Sequence, residues 1–249
     1  MRKWLLRIGI FILLAIVFPF AGGLTIAYDE WSGMTERRYQ FTGSSGQAPL
    51  PEEHEAAIVQ VYAARAARWR GIFGVHTWIA YKKAGASEYR RTEVIGWGAR
   101  YRQSVVYDRD GIPDRYWYGY EPDLLADIRG KEAETAIARI EELAPQYEYR
   151  QRYKVWPGPN SNTYIAHLLR EIDELEVDLP ATAIGKDYIG RVGFMAAPSN
   201  TGFQFSAHGM LGLTLALDEG VEFNLLGASY GVDLYPPALK LPAIGRLGF

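Results

Sequence analysis

Ser161, His76 and Glu93 are the residues of this chain whose types and settings could do chemistry together. A serine hydroxyl is a weak nucleophile at neutral pH and needs a neighbouring base. A neutral imidazole can serve, and a carboxylate can orient that imidazole. Ser161 stands in Asn160-Ser161-Asn162-Thr163, directly after Trp156-Pro157-Gly158-Pro159 and ahead of apolar residues at Tyr164, Ile165, Leu168, Leu169 and Ile172. The prolines forbid helix up to Pro159 and the spacing beyond predicts one, so the serine falls in a first helical turn. Free N–H groups near Asn162 and the positive end of the helix dipole would favour an oxyanion there. Asn160, Ser161 and Asn162 are also preferred helix caps, and capping alone is the commoner use.

The remaining inventory narrows the chemistry. The 249 residues include no cysteine, which removes disulfides, thiolate metal sites and a thiol nucleophile. A nucleophile must be a hydroxyl, a carboxylate, a lysine or an activated water. His54, His76, His167 and His208 are not at metal-ligand spacing from one another, so neither a metal nor another cofactor is expected. With 29 acids some glycosidase-like carboxylate pair can always be picked, so such a pair carries no weight.

The elements that must position these groups can be read from periodicity. Val75 to Lys82 alternates as a strand with His76, Trp78 and Ala80 on one face and Val75, Thr77, Ile79 and Tyr81 on the other. Both faces are largely apolar, which predicts a central strand. A preceding strand is expected over 57–63 and a following one over 89–97, the latter carrying Glu93, with Tyr89 and Thr92 as alternative partners for the imidazole. Further strands are expected over 101–107 and 147–155, and a turn at Asp108-Arg109-Asp110-Gly111. A helix is expected over 130–144, with Ala133, Ile137, Ile140 and Ala144 on its apolar face. Residues 178–188 read as a compact loop and 202–226 as a meander. The proline-rich 236–242 tail should be neither helix nor central strand. Trp78 and Trp156, with Asn160 and Asn162, are the candidate substrate-binding residues.

The net charge of −2 and dispersed cations give no electrostatic case for nucleic acid. Arg2, Lys3 and Arg7 precede an uncharged, largely apolar run from Ile8 to Tyr28, long enough at ~1.5 Å per residue to cross a bilayer. The expectation is a single-pass anchor, with a cytoplasmic N-terminus and an extracytoplasmic domain. Ala21-Gly22-Gly23 keeps a cleaved signal peptide open as the alternative. The organisation expected is therefore 1–28 basic end and anchor, 29–55 spacer, and 56–249 folded domain.

Several segments resemble the bacterial domain of unknown function family 3750: Val59-Gln60-Val61-Tyr62-Ala63-Ala64-Arg65, Val75-His76-Thr77-Trp78-Ile79-Ala80, Trp156-Pro157-Gly158-Pro159-Asn160-Ser161-Asn162-Thr163, the stretch from Ala181 to Tyr188, and Leu239-Lys240-Leu241-Pro242. Together they span essentially all of the chain beyond the spacer, and the resemblance implies a bacterial membrane-associated protein without an assigned activity, so that the expected anchor would lie in a bacterial inner membrane. More distantly, a strand histidine followed by Asn-X-Asn-Thr-aromatic at a helix start resembles the circularly permuted NlpC/P60 branch of the papain-like superfamily. Those proteins carry Asn-Cys where this chain has Asn160-Ser161. That resemblance implies an α+β fold, a mainly antiparallel sheet packed against two or more helices. It also implies a hydrolase or acyl-transferase in which Ser161 attacks, His76 takes the proton and Glu93 orients it. The alternative is an envelope binding or scaffolding module without turnover, holding a peptidoglycan, peptide or lipid ligand.

Overall fold

The computed structural model describes residues 2–17, 24, 27–28, 41–97, 99 and 103–248. In chain order the described elements are α1 (Arg2–Val17), β1 (Ile58–Arg65), β2 (Val75–Lys82), β3 (Arg90–Val94), β4 (Val106–Asp110), β5 (Asp123–Arg129), α2 (Lys131–Leu143) and α3 (Ser161–Arg170). Seven strands complete the chain: β6 (Val192–Ala196), β7 (Gly202–Ala207), β8 (Leu211–Ala216), β9 (Gly220–Leu225), β10 (Ala228–Leu234), β11 (Pro237–Leu241) and β12 (Gly245–Gly248).

The strands make two antiparallel sheets. The first has the order β4-β3-β2-β1-β5, and the second is a seven-stranded meander in sequence order from β6 to β12. The β2 strand lies at the centre of the first sheet, as its two apolar faces require. The Val75, Ile79 and Tyr81 face packs with α2 and α3 in the main core, through Ala133, Ile137, Ile140, Tyr164, Ile165 and Leu168. The opposite face, with Trp78 and Ala80, joins Tyr62, Ile95, Tyr107 and Trp117 in a smaller cluster. Burial of these side chains at about 25 cal/mol per Å² is the main force holding the first sheet to its helices.

The contact between the second sheet and the rest runs through buried ion pairs and hydrogen bonds. Lys186 and Asp187, from the loop after α3, are fully buried beneath it. Lys186 pairs with Glu222, and Asp187 accepts from Asn224 at 2.5 Å and from Ser229 at 3.1 Å. Lys240 reaches Glu222, Asp233 and Asp178 at 3.1, 2.7 and 2.7 Å. Arg170 of α3 donates to Gln204 at 2.7 Å. Buried cations and carboxylates alternate, so each is compensated by its neighbours.

These observations correct the expected fold. The chain is mostly β-sheet, with short helices, and the permuted papain-like α+β arrangement is not supported. Residues 192–248 account for the difference: alternation with Gly and Asp-Glu-Gly turns commits them to a seven-stranded sheet of their own. The transmembrane helix and the single-pass inner-membrane location are corrected too. Among the described residues no helix is long and apolar enough to cross a membrane. Helix α1 has 16 residues, about 24 Å, against a hydrocarbon core of about 30 Å. Of the expected span from Ile8 to Tyr28, residues 18–23 and 25–26 lie outside the described residues, as do 29–40 of the spacer. From residue 41 onward that spacer is docked: Ser44 and the Gln47 N–H both bind Asp114, at 2.9 and 2.7 Å.

Smaller corrections follow the same physics. Residues 147–155 form turns rather than a strand, because Tyr147 and Tyr153 pack inward against the main core instead of pairing. The strand expected over 101–107 lies at Val106–Asp110 and runs through the expected turn, paired with β3, while 101–102 fall outside the described residues. The proline-rich tail does enter a sheet interior: β11 lies between β10 and β12, with Pro237 at its first position and Pro242 beyond its last.

Candidate functional site

Beside the first sheet lies a cavity of about 630 Å³ whose wall includes His76, Asn160, Ser161, Asn162, Trp97, Trp117, Tyr153 and Trp156. His76 and Ser161 therefore face one hollow, from the start of β2 and the start of α3. The two elements are tied directly. The Asn162 amide donates to the Val75 carbonyl at 3.0 Å and accepts from the Thr77 hydroxyl at 3.0 Å, gripping β2 on both sides of His76.

His76 is buried and stacked. Its ring lies 4.0 Å from that of Trp117 at 15°, with Trp78 on the same face of the sheet at 5.8 Å. The Nε2 atom is 2.8 Å from Glu93 Oε2 on β3. A carboxylate can only accept, so Nε2 carries the hydrogen and Nδ1 is left as the basic nitrogen. Of the three partners weighed, Glu93 makes this bond; Thr92 bonds Tyr164 and Tyr89 donates to the Pro49 carbonyl.

Glu93 is itself anchored by Arg91 and stands 3.8 Å from Arg115, which lies over Trp117 at 4.7 Å. Burial pushes the His76 pKa down, and the Arg91 and Arg115 cations add to that against the Glu93 hydrogen bond. Burial pushes the Glu93 carboxyl up, but the His76 hydrogen bond and the two guanidinium groups more than reverse this and bring it down to about 2. The site therefore holds an ionised carboxylate and a neutral imidazole at neutral pH.

Ser161 is the first residue of α3, behind a full capping box. The Asn160 side chain accepts from the Asn162 and Thr163 N–H groups, and Thr163 Oγ1 accepts from Asn160 N. Asn162 N–H, expected to receive an oxyanion, is thus already used; the Ser161 N–H is not taken by this cap. The Asn160 and Asn162 amides are spent on structure, donating to Val155 or Val75 and both to Ile184. Trp78 is 1% exposed and donates to the Pro113 carbonyl, so it supports His76 from behind instead of meeting a ligand. Trp156 is half exposed at the rim, its indole N–H bonded to the Leu226 carbonyl at 2.8 Å.

His76 projects to the Trp78 and Trp117 face of the sheet whereas α3 covers the other, and among the described residues no hydrogen bond joins the imidazole to the Ser161 hydroxyl. The cavity wraps the end of β2, where both faces open. Arg91 was legible in principle, two positions before Glu93 on the same strand face. Arg115 and Trp117 come from a loop without period. No group of residues suited to hold a metal ion occurs among the described residues.

Among curated proteins and among solved structures, none matches this chain. A family described as a protein of unknown function, DUF3750, matches residues 56–188, which hold the first sheet, α2, α3 and all of His76, Glu93 and Ser161. The match is shorter than the sequence resemblance suggested: it stops before the second sheet and excludes Leu239 to Pro242. Covering more than half of the chain, it makes this protein a member of the DUF3750 family of unknown function.

Proposed function

We propose that the chain is a serine-dependent hydrolase or acyl-transferase acting on an ester or amide with an apolar acyl group. The observation that carries this reading is the Glu93–His76 pair, held at 2.8 Å in the wall of the cavity that also contains Ser161. In the proposed reaction Ser161 Oγ gives its proton to His76 Nδ1 and attacks the acyl carbonyl carbon, forming a C–O bond. The carbonyl oxygen takes the negative charge opposite the Ser161 N–H and the positive end of α3. The bond to the leaving alcohol or amine breaks as His76 returns the proton to it. Water, or an acceptor alcohol or amine, then releases the acyl group by the same proton path reversed. This proton transfer requires His76 Nδ1 to come within hydrogen-bond reach of Ser161 Oγ around the end of β2 when substrate is bound.

A second reading, a binding module without turnover, is favoured by the placement of His76 and α3 on opposite faces of the sheet. The two are separated by a series of p-nitrophenyl acyl esters offered to the full chain. Catalysis requires hydrolysis above buffer that falls by roughly 10²–10⁴-fold in both Ser161→Ala and His76→Ala. Wild type that binds the esters but leaves them intact establishes the binding module.

A further inference from the structure

The second sheet is reversed relative to an ordinary half-buried sheet, with its polar side inside and its apolar side in solvent. Inward positions are Gln204, Thr214, Glu222, Asn224, Asp233 and Lys240, all buried. Outward, one register row runs Phe194, Phe205, Leu213, Phe223, Tyr230, and the next runs Phe203, Leu215, Val221, Val232, Leu239, Leu247. Phe194 is 70% exposed and Phe203 55%. No outward strand position from Val192 to Leu247 carries a charge. Seven strands about 4.8 Å apart and four to seven residues long present roughly 500 Å² in projection, at the upper end of what a monomer leaves bare.

We propose that this face docks on the surface of a phospholipid bilayer. Three observations select lipid. An uncharged face of this breadth lacks the polar and ionic groups by which a protein partner sets register. It is continuous with the mouth of the cavity at Leu226, in the β9–β10 turn, where Trp69, Trp97 and Trp156 are 60%, 53% and 50% exposed. Tryptophan with its apolar body and N–H edge favours the boundary between water and hydrocarbon. The chain also bears a second bare apolar element, α1, with Leu6, Ile10 and Leu13 exposed behind Arg2, Lys3 and Arg7. A bilayer accommodates both elements, whereas a partner fitted to the sheet leaves α1 uncovered. Strands of four to seven residues are shorter than the 9–11 or so that cross a bilayer, so the sheet lies in the interface.

The absence of cysteine allows a direct test on the full chain. An environment-sensitive nitrobenzoxadiazole label is placed at Leu213→Cys, in the middle of the face, or at Glu142→Cys on the exposed side of α2. Vesicles of equal parts phosphatidylcholine and phosphatidylglycerol are then added. A severalfold rise and blue shift of emission at position 213 with no change at 142, together with roughly tenfold weaker vesicle binding by Leu213→Asp, supports the proposal. A silent label at 213 while the chain binds vesicles through another surface overturns it. So does a blue shift that tracks protein concentration without vesicles, accompanied by a dimer in sedimentation velocity, because the face then covers a second copy. Neither readout needs turnover, so the docking face and the proposed acyl chemistry fail separately.

Discussion

His76 is set up as a neutral base by its surroundings. Nδ1 is free because an ionised Glu93 fixes the proton on Nε2, and burial beside Arg91 and Arg115 opposes a positive ring. The pH dependence of ester hydrolysis follows. The rising limb belongs to His76 losing its proton and should lie below the ordinary histidine value of about 6.5. Glu93→Gln removes the anion that raises the His76 pKa, so the limb should move to still lower pH while the plateau falls; a limb above 6.5 in wild type contradicts this assignment. The stability signs agree: a folded pKa below the unfolded one for both groups means that their contribution is lost on acidification. For His76 this begins as pH falls through about 6.5, and for Glu93 between 4.5 and about 2. Glu93 could be read from the strand pattern as one of three candidate partners for His76, beside Tyr89 and Thr92, and the register of β2 against β3 decides among them. The stacking on Trp117 could not be read, because residues 112–120 have no period and their path is fixed by Asp114 capping 44–48.

At the scale of elements, the Asn160 turn determines where α3 begins. Its side chain serves two helix N–H groups and two carbonyls, and Gly185, at φ +98°, packs so closely that an added Cβ would lie 2.4 Å from Asn160 Nδ2. Loss of the cap in Asn160→Ala should cost about 2 kcal/mol in urea unfolding, more than an exposed cap because the carbonyls of Val155 and Ile184 are orphaned with it. A change under about 0.5 kcal/mol would show that the turn is held by other contacts. Helices α2 and α3 and strand β2 were legible, since each combines a clear period with a stop signal. At 147–155 Tyr147, Tyr149 and Tyr153 alternate like a strand, but the Tyr147 and Tyr149 rings pack beside Tyr164 and Tyr188, Tyr153 turns to the cavity wall, and the backbone turns to let them. Alternation reports which side chains are buried, not whether a neighbouring strand exists to pair with.

Across the whole molecule, a first sheet with its helices carries the candidate site and a second sheet rests on it through buried ion pairs. The family match ends at 188, between the two. The leucine alternation from Leu211 to Leu217 was legible as strand, but its facing was not. Sequence pattern gives two faces, and only the Lys186–Asp187 loop beneath shows that the polar one is inside. The N-terminal apolar run was read as a membrane-crossing helix from Ile8 to Tyr28, whereas the described helix α1 covers Arg2–Val17. The proposed acyl chemistry requires Ser161 to be a nucleophile primed by His76, and treatment of the full chain with a fluorophosphonate followed by intact-mass and peptide mapping tests that most directly. The predicted result is one adduct, located on Ser161 and lost in His76→Ala; an unmodified chain, an adduct elsewhere, or labelling unaffected by His76→Ala would contradict it.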